Sequence, residues 1–248
     1  MSVLFFQTVR WHVLCVVLGM TPFNQSQNTA DTLQVKHAFE SFVDDKLFPC
    51  VAAKAALTKD QMQLFVAGHL ACPKDDRAIL DFIYDFVDQY RKAENHFHTA
   101  CVIFPETYGI SEEVFDHLLW QRLQALSDMD ALEYPYDSRV DSNPSSPNFS
   151  FSLKEEAFFV IGLSPGSSRE ARRFQYPTIV FNPHAQFEEL RSLKRYDKMK
   201  NIVRKRDVAL SGSINPMLQD FGDDSEVYQY SGMRYGKNWE CPYKYNNK

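Results

Sequence analysis

Apolar positions recur at helical spacing through much of the chain, and this pattern gives the first picture of the fold. Side chains that recur every three or four residues lie on one face of a helix and are buried there. Residues that start or stop helices, such as Ser, Thr and Pro, bound these stretches. The predicted helices are Thr32–Lys46 with Thr32 as its cap, Val51–Leu57, a helix starting near Pro73, Ser111–Leu126, His184–Leu190 and Tyr196–Val208.

Two of these helices have well-defined apolar faces, which we expect to be buried. The face of the helix near Pro73 consists of Ile79, Leu80, Ile83, Phe86, Val87 and Tyr90. The face of the helix that opens at Ser111 consists of Val114, Phe115, Leu118, Leu119, Leu123 and Leu126.

Shorter apolar runs bounded by turn residues predict strands. They are Met62–Leu70, His98–Phe104, Phe149–Leu163 with Ala157–Ile161 as its buried centre, and Tyr176–Asn182. Helices and strands alternate early in the chain, whereas the last two strand regions are adjacent. This order predicts an α+β fold, with a mixed or antiparallel sheet flanked by helices.

Two long segments lack a clear period. Asp130–Asn148 is a proline-containing loop, and long loops in compact domains are often functional. The chain after Ala209 is rich in Gly, Asn, Pro and Tyr, and we interpret it as ordered irregular structure.

The N-terminus is interpreted as an extension of the fold. The apolar run Val13–Met20 is too short to span a bilayer, and a signal peptide would need a positively charged region before it. The polar stretch Asn24–Ala30 has the composition of a linker. We therefore predict an extension over residues 1–29, partly disordered, and one domain over residues 30–248, with no membrane association.

Composition narrows the function classes. The net charge of −5 argues against a nucleic-acid partner, and we interpret the basic run Lys194–Arg206 as a solvated helix face. Five cysteines without a CxxC motif disfavour disulfides and structural zinc, and they fit reduced cytoplasmic thiols. The sequence contains no GxSxG, P-loop, GxGxxG or HExxH motif.

Cys50 is the first candidate for chemistry. It follows Pro49 and opens the helix Val51–Leu57, where backbone N–H groups and the helix dipole favour a thiolate. A thiolate is a strong iron ligand and a good nucleophile, and the alanines of this helix leave room for a flat macrocycle. The alternative is a cysteine buried in the core.

Histidines supply two further candidates. His184, after Asn182 and Pro183, lies between a strand end and a helix start, where it could be a metal ligand, a base or a hydrogen-bonded buried residue. His96 and His98 share one face of a strand and could share a metal. Because no carboxylate occurs at matching spacing, polar residues at a strand edge are the stronger interpretation of that pair.

Charged side chains near the strand region Phe149–Leu163 could bind ions of opposite sign. Three arginines could bind carboxylates through paired N–H donors, or could belong to a solvated turn: Arg169, Arg172 and Arg173. Glu156, after Glu155, could hold a cationic substrate, or could serve solubility at the strand end.

Taken together, several segments resemble the YqcI/YcgG family over roughly residues 30 to 243. They are FPCVAAKAAL (48–57), HTACVIFPE (98–106), LLWQRLQAL (118–126), SSPNFSFSL with EAFFVIGL (145–163), SREARRF (168–174), VFNPHAQFEELR (180–191), RDVALSGSINPML (206–218) and QYSGMRYGKNWECPY (229–243). Residues 1–29 lie outside the resemblance. Ser164 stands where the resemblance leads us to expect His before Pro-Gly.

The resemblance implies an activity. Relatives similar to this chain are haem-dependent N-oxygenases of guanitoxin and cycloserine biosynthesis, which hydroxylate a guanidine nitrogen of arginine-like amino acids. It therefore implies haem b with its iron, O₂, a guanidino or amino-acid substrate and an unidentified reductase. A thiolate ligand favours O–O cleavage, which makes Cys50 the expected proximal ligand. His184 is the rival ligand or a distal-side group.

The remaining site residues follow from the same resemblance. We expect Arg172 and Arg173 to pair with propionates or a substrate carboxylate, and Glu156 to hold the guanidinium group. Asn148, in the segment SSPNFSFSL, is the second catalytic candidate. Two rival functions remain open, a non-catalytic haem-binding sensor or carrier and a haem-free interaction domain. The sequence leaves the oligomeric state open, a homodimer included.

Overall fold

A computed structural model describes residues 25–94, 97–213, 221–236 and 238–246, with the side chains of residues 25–30 outside that description. The described residues form the predicted α+β fold, a mixed five-stranded sheet flanked by helices. The strands are β1 (Met62–Val66), β2 (Thr99–Ile103), β3 (Phe151–Leu153), β4 (Glu156–Leu163) and β5 (Thr178–Pro183). The helices are α1 (Gln25–Asp44), α2 (Val51–Thr58), α3 (Asp76–Tyr90), α4 (Glu112–Asp130), α5 (His184–Ser192), α6 (Tyr196–Ser211) and α7 (Val227–Tyr230). Short 3₁₀ turns cover Pro73–Asp75 and Glu170–Arg172.

The sheet has the strand order β1-β2-β5-β4-β3. The β1–β2 pair is parallel, and the other three pairs are antiparallel. The predicted single strand region Phe149–Leu163 is wrong in one respect, because it folds into the hairpin β3–β4. Lys154 and Glu155 form its turn with φ of 52° and 54°, the conformation of a two-residue turn that matches strand twist.

Both faces of the sheet are covered. The larger cluster lies between the sheet and helices α3 and α4, with α7 at its side, and every predicted α3 face residue except half-buried Tyr90 is fully buried in it. A second cluster packs α1 and α2 on the opposite face through residues such as Phe39, Cys101 and Phe174. Two amphipathic layers on one sheet account for the abundance of aromatic residues as core.

The prediction that Val114 is buried is wrong. Val114 is 46% exposed, whereas Phe115 and Leu119 have no exposed surface. Adjacent helical positions differ by about 100°, so a stripe centred on Phe115 and Leu119 turns Val114 towards solvent. Ser111 caps the helix as predicted, accepting the backbone N–H of Val114 at 3.3 Å.

Helix α1 begins at Gln25, earlier than the predicted cap at Thr32, so the linker interpretation is wrong from Gln25 onward. No Gly or Pro lies between Gln25 and Asp44 to stop the helix. The rest of the predicted extension, residues 1–24, lies outside the described residues. In the part of the chain that is described, no helix combines the length and apolarity needed to cross a bilayer.

The C-terminal segment is largely irregular, as predicted, but it contributes to the core. Helix α6 continues to Ser211, and α7 is a single turn. Tyr230 and Tyr243 are buried in the larger cluster with 0% and 1% exposure. The phenol of Tyr230 accepts the backbone N–H of Phe151 at 3.1 Å and so ties α7 to the hairpin.

Candidate functional site at the Cys50 end of the sheet

The two ends of the sheet provide the frame for locating the candidate residues. Strand β5 runs from Thr178, opposite Leu163, to Pro183, opposite Phe158. We call these the Thr178 end and the Pro183 end. A strand of this length spans roughly 16–20 Å, so side chains at opposite ends cannot act on one small ligand atom.

Cys50 lies at the Thr178 end. The ring of Phe48 contacts Phe42 at 5.1 Å, and Phe42 contacts Phe174 at 5.2 Å. Phe174 precedes β5, so these edge-on and tilted aromatic rings connect the start of α2 to the start of that strand. Helix α2 then leads back along the second cluster to β1.

The backbone around Cys50 has the predicted form. Cys50 is the N-cap of α2, and its Sγ accepts the backbone N–H of Ala53 at 3.4 Å. Burial raises the pKa of the thiol above its ordinary value, and the amides of Ala53 and Ala52 only partly oppose that rise. The predicted thiolate is therefore wrong for the protein alone, because desolvation outweighs the two amides and leaves Cys50 protonated at neutral pH.

Arg172 also lies at the Thr178 end, where it links backbone segments. Its Nη1 donates to the carbonyls of Gly162 at 3.2 Å and Tyr230 at 3.0 Å. Burial, with the neighbouring Arg169 charge second, lowers the pKa of Arg172 to about 10. Arg172 thus holds the C-terminal segment on β4 through Nη1, and its pairing with a propionate or substrate carboxylate stays a prediction.

Arg173 braces the turn before β5. Its Nε donates to the carbonyl of Ser167 at 2.7 Å, and its Nη2 donates to that of Ser168 at 3.3 Å. The side chain is half-exposed. Its Nη1 lies 3.9 Å from Glu170 Oε2, so Arg173 is the more exposed of the two predicted carboxylate-binding arginines but already faces a carboxylate of this chain.

His184 lies at the Pro183 end as the first residue of α5. Its Nδ1 is 3.4 Å from Glu226 Oε1, its Nε2 is 3.3 Å from Glu188 Oε1, and the ring of Phe221 covers it at 4.2 Å. The ring is buried. Phe221 covers one face of the ring, and Nδ1 is buried and makes no hydrogen bond among the described residues, so Nδ1 is the ring atom that keeps His184 as the rival ligand. Glu226, 42 positions away in sequence, had no local signal that could have revealed it as a partner.

Glu156 is at the Pro183 end as well, and it already binds guanidinium groups. Its Oε1 accepts from Arg139 Nη2 at 2.9 Å, and its Oε2 is 3.5 Å from Arg91 Nε. Asp137 binds the same Arg139 with both carboxylate oxygens and accepts the backbone N–H of Ala157 at 2.8 Å. The predicted chemistry of Glu156 is present, but its partners are side chains of this chain.

Asn148 and the histidine pair complete the candidates. Asn148 is exposed in the loop before β3. The carbonyl of the preceding residue, Pro147, accepts the backbone N–H of Gly222 at 3.0 Å. His96 lies outside the described residues. His98 packs its ring on Tyr90 at 5.7 Å. Among the described residues, no group of three or more His, Cys, Asp or Glu side chains could hold a metal ion.

The six predicted site residues therefore form two groups. Cys50, Arg172 and Arg173 belong to the Thr178 end, while Glu156 and His184 belong to the Pro183 end. Asn148 lies near the second group. Its neighbour Pro147 is hydrogen-bonded to Gly222, and the residue before Gly222, Phe221, packs on His184. Arg172 and Arg173 therefore lie at the opposite end of β5 from His184.

A protein-family model matches residues 39–244, which is more than half of the chain. The chain belongs to the YqcI/YcgG family. All six candidate residues lie inside the matched range, so the family assignment covers both ends of the sheet.

Two members of the YqcI/YcgG family from Bacillus subtilis (strain 168) are similar to the chain. YcgG is 26% identical over 215 residues, covering 82% of this chain and 83% of the relative. YqcI is 27% identical over 209 residues, covering 79% and 80% respectively. Both are named as uncharacterized proteins, so their names carry no activity to this chain. No solved structure matches the chain.

For this YqcI/YcgG member, the fit of a haem group can be tested on the donor atoms. Haem iron needs one protein ligand in addition to the nitrogens of its ring, so a single cysteine sulfur suffices. Cys50 fits that role, because it is a partly buried cysteine at a helix N-terminus and iron would replace its proton. His184 is the rival, because its Nδ1 is buried without a hydrogen bond among the described residues, but Phe221 covers its ring and Glu226 lies 3.4 Å from that nitrogen.

Proposed function

We propose that this chain is a haem-dependent oxygenase that N-hydroxylates a guanidino or amino group of a small, arginine-like molecule, using O₂ and an electron donor. Support comes from the resemblance of its segments to such enzymes and from the position of Cys50. The observation that carries the proposal is the partly buried Cys50 at the start of α2, whose sulfur is held 3.4 Å from the Ala53 amide.

The residues around Cys50 would each have a defined task. Haem, when bound, supplies an iron atom at which O₂ can be activated, and a thiolate ligand favours that chemistry. The Ala53 N–H orients the sulfur and offsets part of its negative charge. Arg173, half-exposed and paired with the exposed Glu170 only at 3.9 Å, is the residue of this group best placed to receive a carboxylate of the cofactor or substrate.

Glu156 is not part of this proposed site. Cys50 and Glu156 lie at opposite ends of the sheet, and the carboxylate is already paired with Arg139. We assign Glu156 a structural role.

An absorption spectrum of the haem-supplied full chain tests the proposal. We expect haem uptake and a ferrous–CO band of the thiolate type, lost in Cys50→Ser and retained in Cys241→Ser. Cys241 is a suitable control because it is also half-buried. An unaltered band in Cys50→Ser would reject this ligand, and His184→Ala, with exposed His117→Ala as its control, then tests the rival.

Activity separates the remaining alternatives. Addition of arginine-like compounds to the haem-loaded chain should perturb the spectrum and, with reductant and O₂, yield a hydroxylated product. Haem binding without turnover would identify a sensor or carrier. A chain that stays colourless after haem is supplied would be a haem-free interaction domain.

A further inference from the structure

Helix α6 and the corner before it carry a dense group of exposed cations. Five of the seven Lys and Arg side chains in the basic run are exposed, and we call these five the basic face: Lys194, Arg195, Lys198, Lys205 and Arg206. Asp197 is the single acid between Lys194 and Arg206. The whole chain has 27 Lys and Arg against 32 Asp and Glu, so a basic surface this dense contrasts with an otherwise acidic protein.

Helical spacing brings these cations to one side. Lys198, Lys205 and Arg206 follow one another at intervals that keep them within about a quarter turn of the helix. Ile202, 38% exposed, lies in the middle of this side, and Leu193, 47% exposed, lies at its N-terminal edge. Cations around exposed apolar side chains are typical of a protein-binding surface.

The basic face is held rigidly and turned away from the fold. On the opposite side of α6, Asp207 accepts from Arg169 at 2.6 Å, and Arg169 also donates to the carbonyl of Ser213 at 2.9 Å. At the corner, Lys194 has φ of 55°, and the Arg195 N–H donates to the Leu190 carbonyl at 2.9 Å. The backbone that carries the basic face is therefore already ordered and does not have to be ordered when a partner docks.

Helix α6 also packs directly against α2, the helix that Cys50 opens, and against the turn Glu170–Arg172. The basic face is therefore on a neighbour of the proposed iron ligand. A partner docked there would be separated from the Thr178 end of the sheet by one layer of helix.

We propose that the basic face docks a small acidic electron-donor protein, an inference that rests on the function proposed above. Inserting one oxygen atom of O₂ into an N–H bond leaves the other as water, and the balance requires two electrons and two protons. A reduced iron–sulfur or flavin protein supplies the electrons, and solvent supplies the protons. Complementary charge would steer such a partner to α6 and raise its association rate.

The acidic net charge of the chain favours a small acidic protein as the partner over a membrane surface or a nucleic acid. A membrane surface or a nucleic acid is extended and would also meet the acidic remainder of the chain, which would repel it. A small acidic domain can contact the basic face alone.

The test compares two variants with the same change in net charge. The first is Lys198→Glu/Lys205→Glu/Arg206→Glu, and the second is Lys59→Glu/Lys92→Glu/Lys244→Glu, whose lysines are exposed elsewhere. The probe is a small acidic [2Fe–2S] ferredoxin, with binding measured by calorimetry at low ionic strength and haem reduction measured by stopped flow. We expect the first variant to lose about tenfold or more in both, and the second to change less than about twofold. Haem reduction by dithionite, which needs no docking, should be unchanged in both.

Each outcome decides between the two proposals. Equal losses in the two variants, or unchanged binding in the first, would overturn the docking surface. Tighter binding to phosphatidylserine-containing vesicles than to ferredoxin, lost in the first variant, would also overturn it in favour of a membrane. A wild-type chain without haem rejects the proposed function, and calorimetry on that same chain still reports whether the basic face binds ferredoxin.

Discussion

Arg139 donates to Glu156 at 2.9 Å. Glu156 is the carboxylate predicted to hold the guanidinium group of a substrate, and in this structure it binds a guanidinium group of the chain itself. The carboxylate is buried, and Arg91 approaches its second oxygen at 3.5 Å. The arrangement joins α3, the loop before β3 and the start of β4, and it explains why this acidic residue is buried.

Neutralising Glu156 should destabilise the fold. In Glu156→Gln, one charge-assisted bond is lost and two guanidinium groups lose a buried partner, at a cost of about 2 kcal/mol after allowing for the half-exposed arginines. Urea unfolding monitored by circular dichroism measures the change. Exposed Glu155→Gln is the matched control and should stay within about 0.5 kcal/mol. Equal stability of the two variants would contradict the structural role.

The protonated state of Cys50 predicts slow alkylation at neutral pH. Because burial raises the pKa of its thiol, iodoacetamide labelling should accelerate about tenfold per pH unit up to at least pH 9. Peptide mapping by mass spectrometry follows the site. Cys101 has no exposed surface, and burial raises its pKa to about 12, so it should remain unlabelled until the protein unfolds. Rapid labelling of Cys50 at pH 7 would show that the thiolate is present after all.

The sequence allowed elements and local geometry to be predicted, because their signals are local. Apolar spacing located the core of β2 and the buried face of α3, and the Pro49-Cys50 pair marked a helix start. The division of the site into two ends was not predictable, since it depends on strand order and direction. His184 follows β5 whereas Cys50 leads into β1, and these strands lie on either side of β2. Only the assembled sheet shows that the two residues lie at opposite ends.

Asp130 should make stability depend on pH. Burial raises its pKa to about 6 from an ordinary 3.8, outweighing the hydrogen bonds from the Lys154 amide and the Tyr84 hydroxyl. The folded state therefore binds the proton more tightly, so the stabilising contribution is complete below about pH 4 and is lost as pH rises through 6. Wild type should lose about 2 kcal/mol relative to Asp130→Asn between pH 4 and pH 7.

Unfolding curves of both proteins across that pH range measure the difference. The hydrogen bond from Tyr84 lowers the pKa of Asp130, so Tyr84→Phe should raise that pKa. The loss of stability with rising pH should then continue to a higher pH than in wild type. Parallel pH profiles for wild type and Asp130→Asn would show that Asp130 does not control this interval.

Gly232→Ala tests whether the buried Arg172 side chain fixes the C-terminal segment to β4. Its φ is +87°, and a Cβ there would lie 2.6 Å from Arg172 Cδ. Arg172 cannot withdraw without losing its bonds to the carbonyls of Gly162 and Tyr230. Gly232→Ala should therefore cost the left-handed backbone strain plus a displaced buried arginine, about 3 kcal/mol in urea unfolding.

Two other glycines separate these contributions. Gly109 has φ of +61° with no heavy atom near its Cβ position, so Gly109→Ala should show the backbone strain alone, about 1 kcal/mol. Gly236 has neither a positive φ nor a close neighbour, and Gly236→Ala should be neutral or slightly stabilising. If Gly232→Ala costs no more than Gly109→Ala, then Arg172 moves freely and does not fix the C-terminal segment to β4. A larger cost for Gly232→Ala than for Gly109→Ala would show that the Arg172 side chain resists displacement and holds the C-terminal segment on β4.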